Sequence, residues 1–148
     1  MLNVKKILLG VACVVVITSI IVGGKYLISV RNYQKTIKEL TINNVDLSKI
    51  PDGKYIGSYD VNLISAKVSV TVKNHKIENI DLLEHKTDRG KPAEVIPSMV
   101  VKAQSLQVDT ISGATNSSKT ILKAIENALT PNQNKNISIK EAVDRLSF

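Results

Sequence analysis

Tryptophan is absent from these 148 residues, phenylalanine occurs once, tyrosine four times, and aromatics make up 3% of the chain. Nucleic-acid bases are held on stacking platforms and basic stripes, and the platforms are missing here. The formal charge of +7 does not supply the stripe either. Residues 1–39 carry Lys5, Lys6, Lys25, Arg31, Lys35 and Lys38 against Glu39, a net +5, which leaves only +2 for residues 40–148. The body is nearly balanced, so the electrostatic footprint of a nucleic-acid binder is lacking and no nucleic-acid partner is expected. One cysteine, Cys13, allows no internal disulfide and no multi-cysteine metal site. Two histidines, His75 and His85, leave little for histidine-based metal binding or acid–base catalysis. No internal repeat is present.

What the chain does have is one greasy run. Residues 7–24 contain no charge and are mostly Ile, Leu and Val, with Thr18 and Ser19 as the polar exceptions. Lys25 interrupts the run, and Tyr26, Leu27 and Ile28 extend it. At ~1.5 Å per residue, a helix of this length matches the hydrocarbon depth of a bilayer, and Lys25 is placed to snorkel beside Tyr26. Two rivals are a cleaved signal peptide and a lipoprotein signal. No small-residue cleavage site follows Gly24, and Gly10 stands where a lipoprotein signal usually has leucine before its cysteine. The run is therefore read as an uncleaved anchor within residues 1–31, with Cys13 a small side chain in lipid. Flanking charges nearly cancel and leave the orientation open.

Residues 32–50 read as a polar stalk, helical until before Asn43-Asn44. Pro51-Asp52-Gly53 signals a turn. Three strand-like runs follow, at residues 53–60, 66–73 and 76–84. The middle one alternates strictly, with Val68, Val70 and Val72 on one face. Asn74-His75 fits a tight hairpin connection, which makes His75 a turn residue. The period then changes. Val95, Ile96, Met99, Val100, Ala103 and Leu106 follow helical spacing, with Pro92 and Pro97 at first-turn positions and the helix starting near Pro97. A second helix carries Ile121, Leu122, Ile125, Ala128 and Leu129 on one face and stops at Thr130-Pro131. Residues 131–148 form a polar linker and a short terminal helix, opened by a Ser138–Glu141 capping box. The expected class is α+β: an N-terminal transmembrane helix, then a small domain at residues 51–130 with an antiparallel sheet packed against helices.

Between the two helices lies Asp109-Thr110-Ile111-Ser112-Gly113-Ala114-Thr115-Asn116-Ser117-Ser118. In local terms it is a helix start, with Gly113 in a turn and Thr115 as the N-cap. A second reading notices hydroxyls gathered around a Gly-Ala pair where a helix opens. Free amides and a partial positive charge there suit a phosphate, and Thr115 is placed to touch it or be esterified to it.

These residues resemble the signature of the FMN-binding domain family, which includes the C subunit of sodium-pumping NADH:quinone oxidoreductase and the G subunit of the Rnf complex. The resemblance rests on Asp109-x-x-Ser112-Gly113-Ala114-Thr115, followed by Ser117-Ser118 and an apolar helix. Asp52-Gly53-Lys54-Tyr55-x-Gly57, His85-x-Thr87-Asp88-x-Gly90 and Gln104-Ser105 are also similar to the family. Where family members often have Glu-Thr-x-Gly, this chain has Thr87-Asp88-Arg89-Gly90. The resemblance implies FMN joined through its phosphate to Thr115 by a separate flavin transferase that uses FAD. It implies that Asp109, Ser112, Gly113 and Ala114 are read by the transferase or seat the phosphate, with Ser117 and Ser118 beside them. His85 reads as a loop histidine, and the alternative is a hydrogen-bond partner of the flavin. The resemblance further implies an extracytoplasmic domain that relays electrons from a membrane dehydrogenase or quinol. The alternative is a non-redox binding or sensory module built on the same fold.

Overall fold

The computed structural model describes residues 3–130, so the expected terminal helix lies outside the described residues. The chain divides into two units, with the boundary between Lys38 and Glu39.

Helix α1 spans Val4–Glu39 without a break, because no proline interrupts it. It is long and apolar enough to cross a membrane. Leu8, Leu9, Ile20, Val22 and Leu27 are exposed along it, as lipid-facing side chains would be. The hydroxyls of Thr18 and Ser19, inside the apolar run, are satisfied within the helix. Thr18 Oγ1 donates to the Val14 carbonyl at 3.0 Å, and Ser19 Oγ to the Val15 carbonyl at 2.8 Å. A segment placed in hydrocarbon needs this internal pairing, since no water is there to provide it.

The second unit is α+β. Strands β1 (Gly53–Asp60), β2 (Ser65–Lys73) and β3 (Lys76–Lys86) form an antiparallel sheet in that order. Val68, Val70 and Val72 are buried, as the period of two requires, and each contributes about 1.5–3 kcal/mol by leaving water. Asn74 and His75 have φ of 51° and 59°, the two positive values that a two-residue type I′ hairpin demands. The register shifts twice along the β2–β3 pair, between Lys67 and Val68 and between Thr71 and Val72. These irregularities break the alternation of β3, and Leu83 is turned out while Ile77 and Ile80 are buried.

A 3₁₀ turn at Lys91–Val95 precedes α2 (Ile96–Ala103), with Pro92 and Pro97 in the first turns of the two elements. Val95 is exposed, and Leu106 is buried beyond the helix rather than on it. The helix ends early because Gln104 adopts φ 53°. Its side chain accepts from the Ile77 amide and donates to the Ile77 carbonyl, both at 2.8 Å, pairing the edge of β3 as a neighbouring strand would. Helix α3 (Thr115–Leu129) buries Ile121, Leu122, Ile125, Ala128 and Leu129 against β1 and β2. Gly57 permits this contact, since a Cβ there would meet the Ala124 carbonyl and the Ala128 backbone.

Residues 39–50 take part in this unit. Ile50 is in its core, and Ile42, Val45 and Leu47 pack against it. The buried carboxylate of Glu126 accepts from the Asn43 amide and side chain, each at 3.2 Å, and from Lys123 Nζ at 2.8 Å.

Candidate functional site

The residues singled out from the sequence meet where α3 begins. Ala114, not Thr115, is the N-cap. Its carbonyl accepts the first helical bond, from Ser118 N at 2.9 Å, and this makes Thr115 the first helical residue. Thr115 therefore does not cap. It is exposed, and no hydrogen bond engages its hydroxyl among the described residues.

Ser118 does the work expected of a cap from below. Its buried hydroxyl accepts from the Ile111 amide at 3.0 Å and donates to the Ala114 carbonyl at 2.9 Å. The Ala114 amide donates to the Ile111 carbonyl at 2.9 Å, closing a turn over Ser112 and Gly113. Gly113 has φ +78°, the value a turn of this kind requires at its third position. A Cβ added there would meet nothing within 4 Å, so the space over this turn is open.

Ser117 points the other way along the first turn and is also buried. Its Oγ lies 3.0 Å from Thr87 Oγ1, which accepts from the Gly90 amide at 2.7 Å. Gly90 packs so closely that a Cβ would overlap both Ser117 and the Thr87 hydroxyl. The 87–90 loop is thus seated directly on the start of α3. Close by in sequence, the His85 side chain is 3% exposed, and its Nδ1 lies 3.2 Å from Glu94 Oε1. Its Nε2 is buried with no hydrogen-bond partner among the described residues. Asp109, before the turn, and Ser112, within it, are exposed.

The electrostatics suit an anion. The first turn of α3 carries no acidic residue, and the amides of Thr115, Asn116 and Ser117 have no intrahelical acceptor. Three free donors, a positive helix end, open space over Gly113 and an uncommitted hydroxyl form a place for a phosphate, esterified or not. The residues present therefore fit the phosphate end of a flavin mononucleotide.

Sequence reasoning missed Glu94, which is nine residues from His85 and shares no local pattern with it. It also missed the function of Gln104, since a left-handed residue at the end of a helical run is settled by a strand it meets only in the fold. Among the described residues no cluster of His, Cys, Asp and Glu is placed to hold a metal ion.

An α+β domain with an anion-suited helix start is the class that this geometry defines. Residues 64–130, from just before β2 to the end of α3, match the family model of the FMN-binding domain. The match is consistent with the family that the sequence resembles. No curated protein matches the chain.

Proposed function

We propose that the protein is a membrane-anchored, extracytoplasmic flavoprotein that relays electrons through FMN bound covalently to Thr115. The observation that carries this reading is the free, exposed hydroxyl of Thr115 on the first turn of α3, inside a segment matched to the FMN-binding domain. In the proposed attachment, catalysed by a flavin transferase, Thr115 Oγ displaces AMP from the FMN phosphate of FAD. The Oγ–P bond forms, the pyrophosphate P–O bond breaks, and the hydroxyl proton is lost. The free amides of α3 hold the phosphate oxygens, and Gly113 keeps the approach clear. Asp109 and Ser112, exposed ahead of α3, are placed for reading by the transferase.

FMN when bound carries one or two electrons. The chain's own contribution is to fix the cofactor's phosphate on a rigid helix and to keep it from being lost. A phosphoester removes the need for high affinity in a small domain. The apolar α1 supplies the anchor, and a membrane dehydrogenase or quinol is the proposed donor. The test is the protein co-produced with a flavin transferase, denatured and viewed under ultraviolet light. A fluorescent band that disappears in Thr115→Val supports the reading. A parent protein that carries no flavin overturns it and favours a binding module without redox chemistry.

A further inference from the structure

Of the buried polar atoms that have no hydrogen-bond partner among the described residues, two stand next to β1: Ser69 Oγ and Asn127 Oδ1. Native structures rarely leave such atoms orphaned. Ser69 is 1% exposed, and its neighbours Val68 and Val70 face the core, so its side chain stands on the opposite, outer face of the sheet. The register sets Ile56 of β1 beside it and Asp81 of β3 on its other side. Ile56 is 63% exposed there, because the next residue, Gly57, is the one pressed against α3. Leu83, next to core-packed Leu82, is a second exposed apolar side chain.

Asn127 meets β1 from the α3 side. Its Nδ2 donates to the Ser58 carbonyl at 2.8 Å, which leaves Oδ1 as the orphan. Thr130, about one turn later, is the last described residue, so residues 131–148 set out from beside this strand. Asn132, Gln133, Asn134, Lys135 and Asn136 all carry side-chain donors. At ~3.3 Å per residue, residues 131–137 reach about 23 Å. That is enough to round the edge of β1, from the α3 layer to a layer on the other face, at ~10 Å per layer. Beyond them Ile139, Ala142, Val143 and Leu146 follow helical spacing. Three strands at ~4.8 Å make a face about as wide as one helix.

We infer that the outer face of the sheet is the docking surface for the chain's own residues 131–148. The segment rounds the edge of β1, where its Asn and Gln side chains supply the donor that Asn127 Oδ1 lacks. Residues 138–146 lie across the outer face as a helix, with Ile139, Val143 and Leu146 packed on Ile56 and Leu83. The same segment brings the partner for the Ser69 hydroxyl. A tether that starts beside β1 gives it an effective concentration on the order of millimolar, which favours it over a second copy of the chain. Once docked, it also covers the free edge of β1 and keeps that edge from pairing with another chain.

Cross-linking of the full-length protein in detergent, in a Cys13→Ser background, tests the docking. Ile56→Cys with Val143→Cys is treated with a short bismaleimide, and Lys91→Cys with Val143→Cys serves as the control. Lys91 lies on the 3₁₀ turn that packs against α3, away from the outer face. The first pair is expected to link within one chain at least about fivefold more than the control. Trypsin supplies a second readout, by cleavage after Lys140 and Arg145. Proteolysis follows the population of the open form, so Ile56→Asp is expected to speed this cleavage about tenfold and Lys91→Asp to leave it unchanged. Ile56 is exposed and outside the core, so its substitution leaves the domain folded. Equal yields from the two cysteine pairs overturn the docking. Cleavage in the parent as fast as in Ile56→Asp, or equal acceleration in Lys91→Asp, overturns it as well. Links between two chains in place of links within one overturn it and assign the face to a second copy.

Discussion

Two glycines of the site serve opposite purposes, and alanine at each separates them. Gly90 has φ −90° and ψ 4°, values open to any residue, but a Cβ there would overlap Ser117 and Thr87 Oγ1. Gly113 has φ +78° with open space around it. Gly90→Ala therefore acts by crowding. Overpacking costs about 1–3 kcal/mol. Forcing Thr87 aside also loosens its bonds to the Gly90 amide and to Ser117, at ~1 kcal/mol each. The expected total is about 3–5 kcal/mol. Gly113→Ala acts by backbone strain alone, at ~1–2 kcal/mol. Urea unfolding of the detergent-solubilised protein, followed by near-ultraviolet dichroism, measures both. With a slope of ~1–3 kcal/mol per molar, Gly90→Ala should lower the midpoint by about 1 M or more. Space restored by Ser117→Gly should recover part of the loss in Gly90→Ala and none of that in Gly113→Ala. A cost for Gly90→Ala no larger than that for Gly113→Ala, or equal rescue of both by Ser117→Gly, would refute the assignment of the 87–90 loop to a tight seat on α3.

Other expectations follow from the same geometry. Thr115→Val removes no capping bond and should change stability by less than about 0.5 kcal/mol, whereas Ser118→Ala strands the partly buried Ile111 amide and should cost ~1–3 kcal/mol; thermal melts of the two variants check the contrast. Gly57→Ala should be more damaging than Gly90→Ala, because the added carbon meets the backbone of α3, which cannot rotate away; the denaturation midpoint reads this directly. The Asp46 carboxyl is held below its ordinary value near 3.8 chiefly by the Ser48 hydroxyl, with Lys49 and the Ser48 amide assisting. Its folded-state value is depressed, so its contribution to stability is complete above pH 3.8 and is lost as pH falls through that lower value. The stability difference between the parent and Asp46→Asn should therefore shrink on acidification below pH 3.8, and a difference that grows instead contradicts the sign.

Elements with strong local determinants were legible in the sequence. Val68, Val70 and Val72 alternate because one face of β2 is core, and Asn74-His75 reads as a two-residue turn because both residues tolerate positive φ. The apolar stripe of α3 was visible for the same reason. Less visible were features fixed by partners distant in sequence. Leu83 looks like core beside Leu82, but the register irregularities of β3 turn it out. Ala103 and Leu106 continue a helical pattern that Gln104 interrupts in order to pair with Ile77. At the site, Thr115 resembles an N-cap, and a difference of one residue decides its chemistry. With Ala114 capping and Ser118 closing the turn, the Thr115 hydroxyl is left uncommitted. The partnership of His85 with Glu94 and the seating of Gly90 on Ser117 come from tertiary packing and have no periodic signature.

The central claim is a covalent bond between FMN and Thr115, and mass spectrometry of a tryptic digest tests it most directly. Cleavage after Lys102 and Lys119 releases one peptide that contains the whole Ser112-Gly113-Ala114-Thr115 segment. In protein co-produced with a flavin transferase, that peptide should be heavier by FMN less one water, with fragmentation placing the addition on Thr115. An unmodified peptide alongside flavin released by simple denaturation, or an adduct on another residue, would contradict the account.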